Sequence, residues 1–555
     1  MNNSQFRAIP KSNNFNIPFK LKEEALLDWL SELSRHDGQE ACLQVLRLLQ
    51  SLNKEHISAT KRISFLSTIT EHLKGYVNQL EQVCWDVGFP LTADDKVYAE
   101  AVTWNYLALS QGFFIAAQDS NKKEAAFALA LALKSIAKAQ LHIAAIYAIA
   151  DDGFWNAIYK MYRMAENKGL LKIKVKAFKN TTVEAMFTKL FVFHACDTNQ
   201  FRARDMHTIF YFLDNVCHNI PIEKQADKEK ASFVFCLDQD NPPAANKKKT
   251  DNESKATCYF SPVIVAYEIY DILKKGNLWT GTLKSINNAL FLRVIKTLSQ
   301  GQKRKYTRLD EGYEALGVIG FENIINFLRK NKADTAKIVS ENHAKNEAQV
   351  ELKPNDLKVF IEHEQLGSIG GNNDVDYDYQ LSENSIWQTE KKADDIKDVV
   401  IEKIQIFDSS AKGYSIYWND SKEKAKIGDV FGIISKDKKR LEIALIRRIA
   451  MNLEDEFKFG AEVIGFESDI VYICRPPSKD ECTWAIFIPG IKALKQADTL
   501  IFSMGSFQPG HRVSIYKGEQ KIQGLLVKEL HSTSGIVMVE LAYPEPTVKQ
   551  KDDTD

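Results

Sequence analysis

The chain has no excess of charge of either sign: 73 Lys and Arg residues balance 73 Asp and Glu over 555 residues. That balance argues against a general nucleic-acid or membrane-surface binder, so any basic site has to be local. Long apolar runs are also missing. The longest, 125–133, is nine residues, about half of the ~18 needed to span a bilayer, and it reads as part of a soluble helix with no stable membrane insertion. Residues 1–20 carry Asn, Ser, Pro and spaced basic residues in place of a continuous apolar stretch, so they read as neither signal peptide nor anchor. The eight cysteines show no C-x-x-C and no short repeated spacing. Without a secretory signal they are expected to be reduced, mostly buried thiols of a cytoplasmic protein. There is no P-loop, no G-x-G-x-x-G, no G-x-S-x-G elbow and no H-E-x-x-H. Cys196 near His194, Cys217 beside His218, and Glu362-His363-Glu364 come nearest to a nucleophile or metal site. The two Cys/His neighbours lie in apolar helical segments, and the third run has no second cluster. The expectation is therefore a protein that is not an enzyme and holds no metal.

What is present is concentrated in two short motifs. Residues 408–413 read D-x-S-x-x-G, with Asp408, Ser410 and Gly413 between strand-like runs at 399–407 and 414–418. A hundred residues upstream, the basic run 303–308 contains R-x-x-x-R, Arg304 and Arg308. Two guanidinium forks suit phosphate oxygens and the O6/N7 edge of guanine. The carboxylate accepts what guanine donates, and glycine admits close approach of a ligand to the backbone. Each motif alone is more often a polar turn or a solvated loop. Together they point to sensing of a guanine dinucleotide.

Three apolar, β-branched runs follow, at 426–434, 441–449 and 458–466, separated by Lys, Asp, Asn and Glu clusters. They read as antiparallel strands of a small barrel. The order of an R-x-x-x-R arm, a strand, D-x-S-x-x-G, a strand entering a Gly-Asp turn, a strand ending in basic residues and a G-x-E-hydrophobic strand resembles the bacterial PilZ domain. The resemblance covers roughly 299–475 and implies a receptor for cyclic di-GMP whose ligand-binding residues are Arg304, Arg308, Asp408, Ser410 and Gly413. Over its whole length the chain is also similar to helical-plus-PilZ proteins of gammaproteobacteria linked to cyclic di-GMP and type IV pili. The sequence departs from an ordinary PilZ domain in the long interval between arm and turn. Residues 311–319 suit the expected strand, 321–348 have roughly helical spacing, and 367–397 are polar and expected to be mobile and protease-sensitive.

The remainder is helical before the barrel and strand-rich after it. Residues 21–298 read as successive helices with a short β-hairpin near 231–260, and no fixed repeat is visible. Lys134, Lys138 and His142 recur every four residues on an alanine-rich helix, which favours a solvated face over a basic binding stripe. Further strand-like runs across 476–545 extend the first barrel or form a second, and 1–20 and 546–555 are polar tails. The fold class expected is α+β, an all-helical N-terminal region followed by one or more PilZ-like antiparallel barrels. Such a protein would bind cyclic di-GMP and relay occupancy to a protein partner, without binding DNA, in type IV pilus motility or biofilm regulation. The alternative is a ligand-free PilZ-like adaptor acting through its helical region. On the receptor reading, removing Arg304, Arg308 or Asp408 should weaken binding while hardly moving stability.

Overall fold

In a computed structural model, residues 17–33, 37–86, 88–218, 220–225, 233–246, 256–275, 288–300, 307–331, 399–418, 423–435, 441–451, 457–476, 482–491, 496–505, 507–517, 520–533 and 535–544 are described. Arg304, the 367–397 stretch, Glu362-His363-Glu364 and the helical pattern beyond 331 lie outside them. The helices before the barrels are α1 (Glu23–Leu33), α2 (Gly38–Leu52), α3 (Ala59–Asp86), α4 (Ala93–Asp119), α5 (Lys122–Ala145), α6 (Phe154–Asn167), α7 (Val183–Ala195), α8 (Ala203–Val216), α9 (Val263–Lys275) and α10 (Asn288–Gln300). Short strands interrupt them: β1 (Lys174–Val175) pairs with β2 (Thr181–Thr182), and β3 (Phe233–Cys236) lies between β4 (Ala244–Ala245) and β5 (Thr257–Phe260).

Helix starts follow local chemistry. Thr92 accepts from the Asp95 N–H at 3.2 Å, and Asn121 accepts from the Glu124 N–H at 3.3 Å, so the first turns of α4 and α5 are closed by side chains. The alanines of α5 are buried on several sides, among them Ala125, Ala128, Ala132 and Ala139. Small side chains let neighbouring helices approach, and a hydrogen bond from Ser110 Oγ to the Ala132 carbonyl, 2.9 Å, ties α4 to α5. Among the described residues α5 alone is long and apolar enough to cross a membrane, and 78% of that window is buried within the protein. The Lys134, Lys138 and His142 row is solvated only in part: Lys134 is exposed and Lys138 half-buried. His142 is buried and stacks on Tyr106, centroids 5.5 Å apart, while Lys138 donates to the Tyr211 hydroxyl.

The second half forms two closed six-stranded antiparallel barrels. The first has the order β10-β11-β8-β7-β6-β9, with β6 (Leu309–Ile319), β7 (Glu402–Ser410), β8 (Gly413–Tyr417), β9 (Val430–Ser435), β10 (Leu441–Met451) and β11 (Phe457–Gly465). Between β6 and β7 stands α11 (Phe321–Asn331). The second has the order β12-β13-β14-β17-β16-β15, with β12 (Asp469–Cys474), β13 (Cys482–Ile488), β14 (Thr499–Ser503), β15 (Arg512–Lys517), β16 (Gln520–Ser532) and β17 (Ile536–Ala542). The later strands therefore close on themselves.

By contacts the chain separates into two compact units. One is Met1–Glu314 with Ile404–Ile427 and Ile446–Glu462; the other is Ala315–Lys403 with Gly428–Leu445 and Val463–Asp555. In the second unit, alternate residues of the strands feed two different cores. Val471, Ala485, Leu500, Val513 and Val539 fill one cluster. Their neighbours Ile470, Ile486, Ile501 and Met538 join Ile324, Ile325 and Leu328 of α11 in another. Strands covered on both faces need apolar residues at consecutive positions, which is why 470–474 and 485–488 lack polar alternation. The expectation of reduced thiols fails at one pair. The β12–β13 register sets Cys474 opposite Cys482, Cα atoms 4.1 Å apart, and the two are joined as a disulfide.

Candidate ligand-binding site

The D-x-S-x-x-G stretch is the β7–β8 hairpin. Ser410 pairs with Gly413 across the two-residue turn Ala411-Lys412, and Ser410 Oγ donates to the Gly413 carbonyl at 3.2 Å. The register slips between Ile406 and Asp408: Ile406 faces Ile416, yet Asp408 faces Ser415. This bulge re-aims the strand end. Ile404, Ile406 and Asp408 are all buried, as are Ser415 and Ile416, while Phe407 is exposed on the other side. There Phe407 meets Tyr417 edge-on at 5.4 Å, with Lys458 Nζ 4.5 Å from its ring centre.

A carboxylate only 6% exposed needs a partner. Arg308 supplies it from a hundred residues away, its Nη1 standing 2.5 Å from Asp408 Oδ2 and 3.5 Å from Ser415 Oγ. The two side chains differ in burial, 37% exposed for Arg308 against 8% for Asp408, so the guanidinium is the half of the pair that solvent or a ligand can reach. The pair gives a physical reason to expect a loss of stability on removing Arg308. Losing the arginine strands a buried charge.

Gly413 has a structural duty that the motif alone does not reveal. A Cβ built there would lie 2.4 Å from the Ala461 carbonyl oxygen of β11. Since β8 pairs with β11, Gly413 opposite Glu462, only glycine lets the two backbones meet at that end. Glu462 in turn accepts from Arg447 Nε at 2.8 Å, which sets a second charged pair beside the hairpin. Of the predicted set, the structure brings Arg308 and Asp408 into contact and places Ser410 and Gly413 on the same hairpin; Arg304 falls outside the described residues. Ser415 was missed. Its signal was an inward-facing polar residue in an otherwise apolar strand, legible only once the bulge had set the register.

The Cys/His neighbours are packed, not poised. Burial pushes the Cys196 thiol well above its usual range and pulls His194 down to about 4, and His194 lies edge-on to Trp155 at 5.1 Å. Burial likewise raises the Cys217 thiol. Among the described residues, no group of three or more His, Cys, Asp or Glu could hold a metal ion.

A closed antiparallel barrel carrying a D-x-S-x-x-G hairpin agrees with the PilZ resemblance of the sequence. Three family models agree. The N-terminal domain of the cyclic-di-GMP receptor FimW matches residues 24–227, the middle PilZ domain of FimW matches 232–469, and the FimW C-terminal β-barrel domain matches 475–543. The chain belongs to the FimW family of cyclic-di-GMP receptors. No curated protein and no solved structure matches it.

Proposed function

We propose that this receptor takes cyclic di-GMP on the first barrel between Arg304, Arg308 and the Asp408, Ser410 and Gly413 hairpin, works in the cytoplasm, and acts without catalysis. The observation that carries the reading is the Arg308–Asp408 pair, 2.5 Å long and closed across a hundred residues of sequence. In the free protein Asp408 holds Arg308 over the hairpin. A ligand phosphate or guanine edge offers the guanidinium a second acceptor, and the guanine N–H donors offer Asp408 a replacement, so both groups stay satisfied on exchange. Each charge-assisted bond contributes about 1.5–3 kcal/mol.

A relay to the helical region is supported by contacts inside the first compact unit. Phe89 and Ala425 exchange backbone hydrogen bonds at 2.8 and 2.9 Å, Arg202 Nε donates to the Ile427 carbonyl at 2.7 Å, and Arg448 pairs with Asp197 at 2.8 Å. Residues 425–427 follow the ligand hairpin, so its rearrangement reaches the helices through main-chain bonds. We assign output to the helical region, which would present the signal to a protein partner, in keeping with a role in type IV pilus motility or biofilm regulation. A second reading draws on the same pair: Arg308 is already satisfied by Asp408, as a ligand-free adaptor would require. Calorimetry of the full chain with cyclic di-GMP separates the two. Saturable heat that disappears in Asp408→Ala supports the receptor site, whereas no heat with the native chain supports the adaptor.

A further inference from the structure

We infer a second binding site, in the helical region, for a mononucleotide-sized phosphate monoester with an aromatic body. Between α5, α7, α8 and the turn after β1 lies a cavity of about 340 Å³, within the lower range of small-molecule sites. Its lining includes four lysines, Lys134, Lys138, Lys179 and Lys189, against one carboxylate, Asp214. That carboxylate is matched, since Lys189 Nζ lies 2.6 Å from Asp214 Oδ1.

Three of the lysines also stand over ring faces. Lys134 Nζ stands 5.5 Å over Phe178, Lys138 Nζ 4.7 Å over Tyr211, and Lys189 Nζ 3.7 Å over Phe210. A π face positions an ammonium group without cancelling its charge, as a carboxylate would. Of the two carboxylates that act on Lys134, Glu71 is itself bridged by Lys74 and Asp214 by Lys189, each at 2.6 Å. Desolvation, then Lys74, lowers the proton affinity of Lys134, against the partial pull of Glu71 and Asp214. An anion in the cavity favours the charged amine.

The body of the ligand is read from the rest of the lining, where Leu133, Ala137, Met186 and Leu213 are apolar beside the Phe178 and Tyr211 rings that carry Lys134 and Lys138. Such a mixed lining suits a flat ring attached to a phosphate better than a bare ion. The backbone at the rim is also unusual. Lys179 and Asn180, with φ of 53° and 60°, are successive non-glycine residues in the left-handed region, a conformation costing roughly 1–2 kcal/mol per residue. Holding the Lys179 amine at the mouth is a reason for the chain to keep it there.

The test is calorimetry of the full chain with GMP, AMP and inorganic phosphate in turn, on the native protein and on Lys134→Met, Lys179→Gly and Asp408→Ala. Lys134→Met keeps the apolar stem, and Lys179→Gly relaxes the backbone, so both should fold at least as well as the native chain. The expected result is saturable binding of GMP or AMP, at least 10-fold weaker binding of phosphate alone, about 10-fold weakening in each lysine variant, and no change in Asp408→Ala. Absence of nucleotide binding at millimolar ligand overturns the inference. So does binding indifferent to both lysines, phosphate binding as tight as nucleotide binding, or nucleotide binding lost only in Asp408→Ala, which would return it to the barrel.

Discussion

Removing Arg308 should hurt the fold more than removing Asp408, although both should abolish the ligand site. In Arg308→Ala a carboxylate that is 8% exposed keeps its charge and loses its partner. For a fully dry pair that costs about 3–5 kcal/mol. The arginine is 37% exposed, so solvent screens the pair, and about 1.5–3 kcal/mol is the expected loss. In Asp408→Ala the guanidinium turns to water, and the loss should stay near ~1 kcal/mol. The double variant strands no charge and should be close to Asp408→Ala, giving a coupling of about 1.5–3 kcal/mol in magnitude between the two sites. Thermal melts of the native protein and the three variants would read the order, and calorimetry with cyclic di-GMP would show at least about 10-fold weaker binding in all three, the ~1.4 kcal/mol of one lost charged contact. If Arg308→Ala melts no lower than Asp408→Ala, the pair is not the buried, asymmetric contact described above. Native-like affinity in the double variant would remove the ligand site from this hairpin.

Gly413→Ala should cost about 1–3 kcal/mol, because its Cβ would meet the Ala461 carbonyl at 2.4 Å, and a melt no lower than native would contradict the close β8–β11 approach. Arg448→Ala should destabilise by about 1–2 kcal/mol, since Asp197 is 21% exposed, burial already raises its carboxyl, and Arg448 is the partner that draws it back down. Hydrogen exchange should then show the helical region no longer responding to cyclic di-GMP, and an undiminished response would cut this contact from the relay. Asp151 titrates high: burial first, then Asp152 and Glu100, push its carboxyl up to about 7. Between about pH 4 and 7 the folded state therefore keeps a proton that the unfolded chain has lost, and stability falls as pH rises through that window. Asp151→Asn should stabilise the protein at pH 8 by about 1–2 kcal/mol after allowing for half-burial, read as a higher melting temperature, and leave stability unchanged at pH 4; equal gains at both would refute the assignment.

Much of this protein was legible in its sequence because the relevant forces are local. The Asp408 to Gly413 hairpin follows from turn chemistry, the helix starts at Thr92 and Asn121 from capping, and most strands from the alternation or continuity of apolar residues. The α+β order of helices before barrels needed nothing more. Tertiary structure decided what depends on residues far apart in the chain. The bulge before Asp408 turns it inward beside Ser415, and only then is Arg308 the partner of a buried carboxylate. Closure of β12 to β17 into their own barrel, and the burial of α11 in its outer core, turn on which face each strand covers, and apolar content alone leaves that open. The Cys474–Cys482 disulfide waited on register. Lys138 and His142 looked like the solvated side of a helix because a helical pattern records where a side chain leaves the axis but not which aromatic rings arrive from α8 and α4 to meet it.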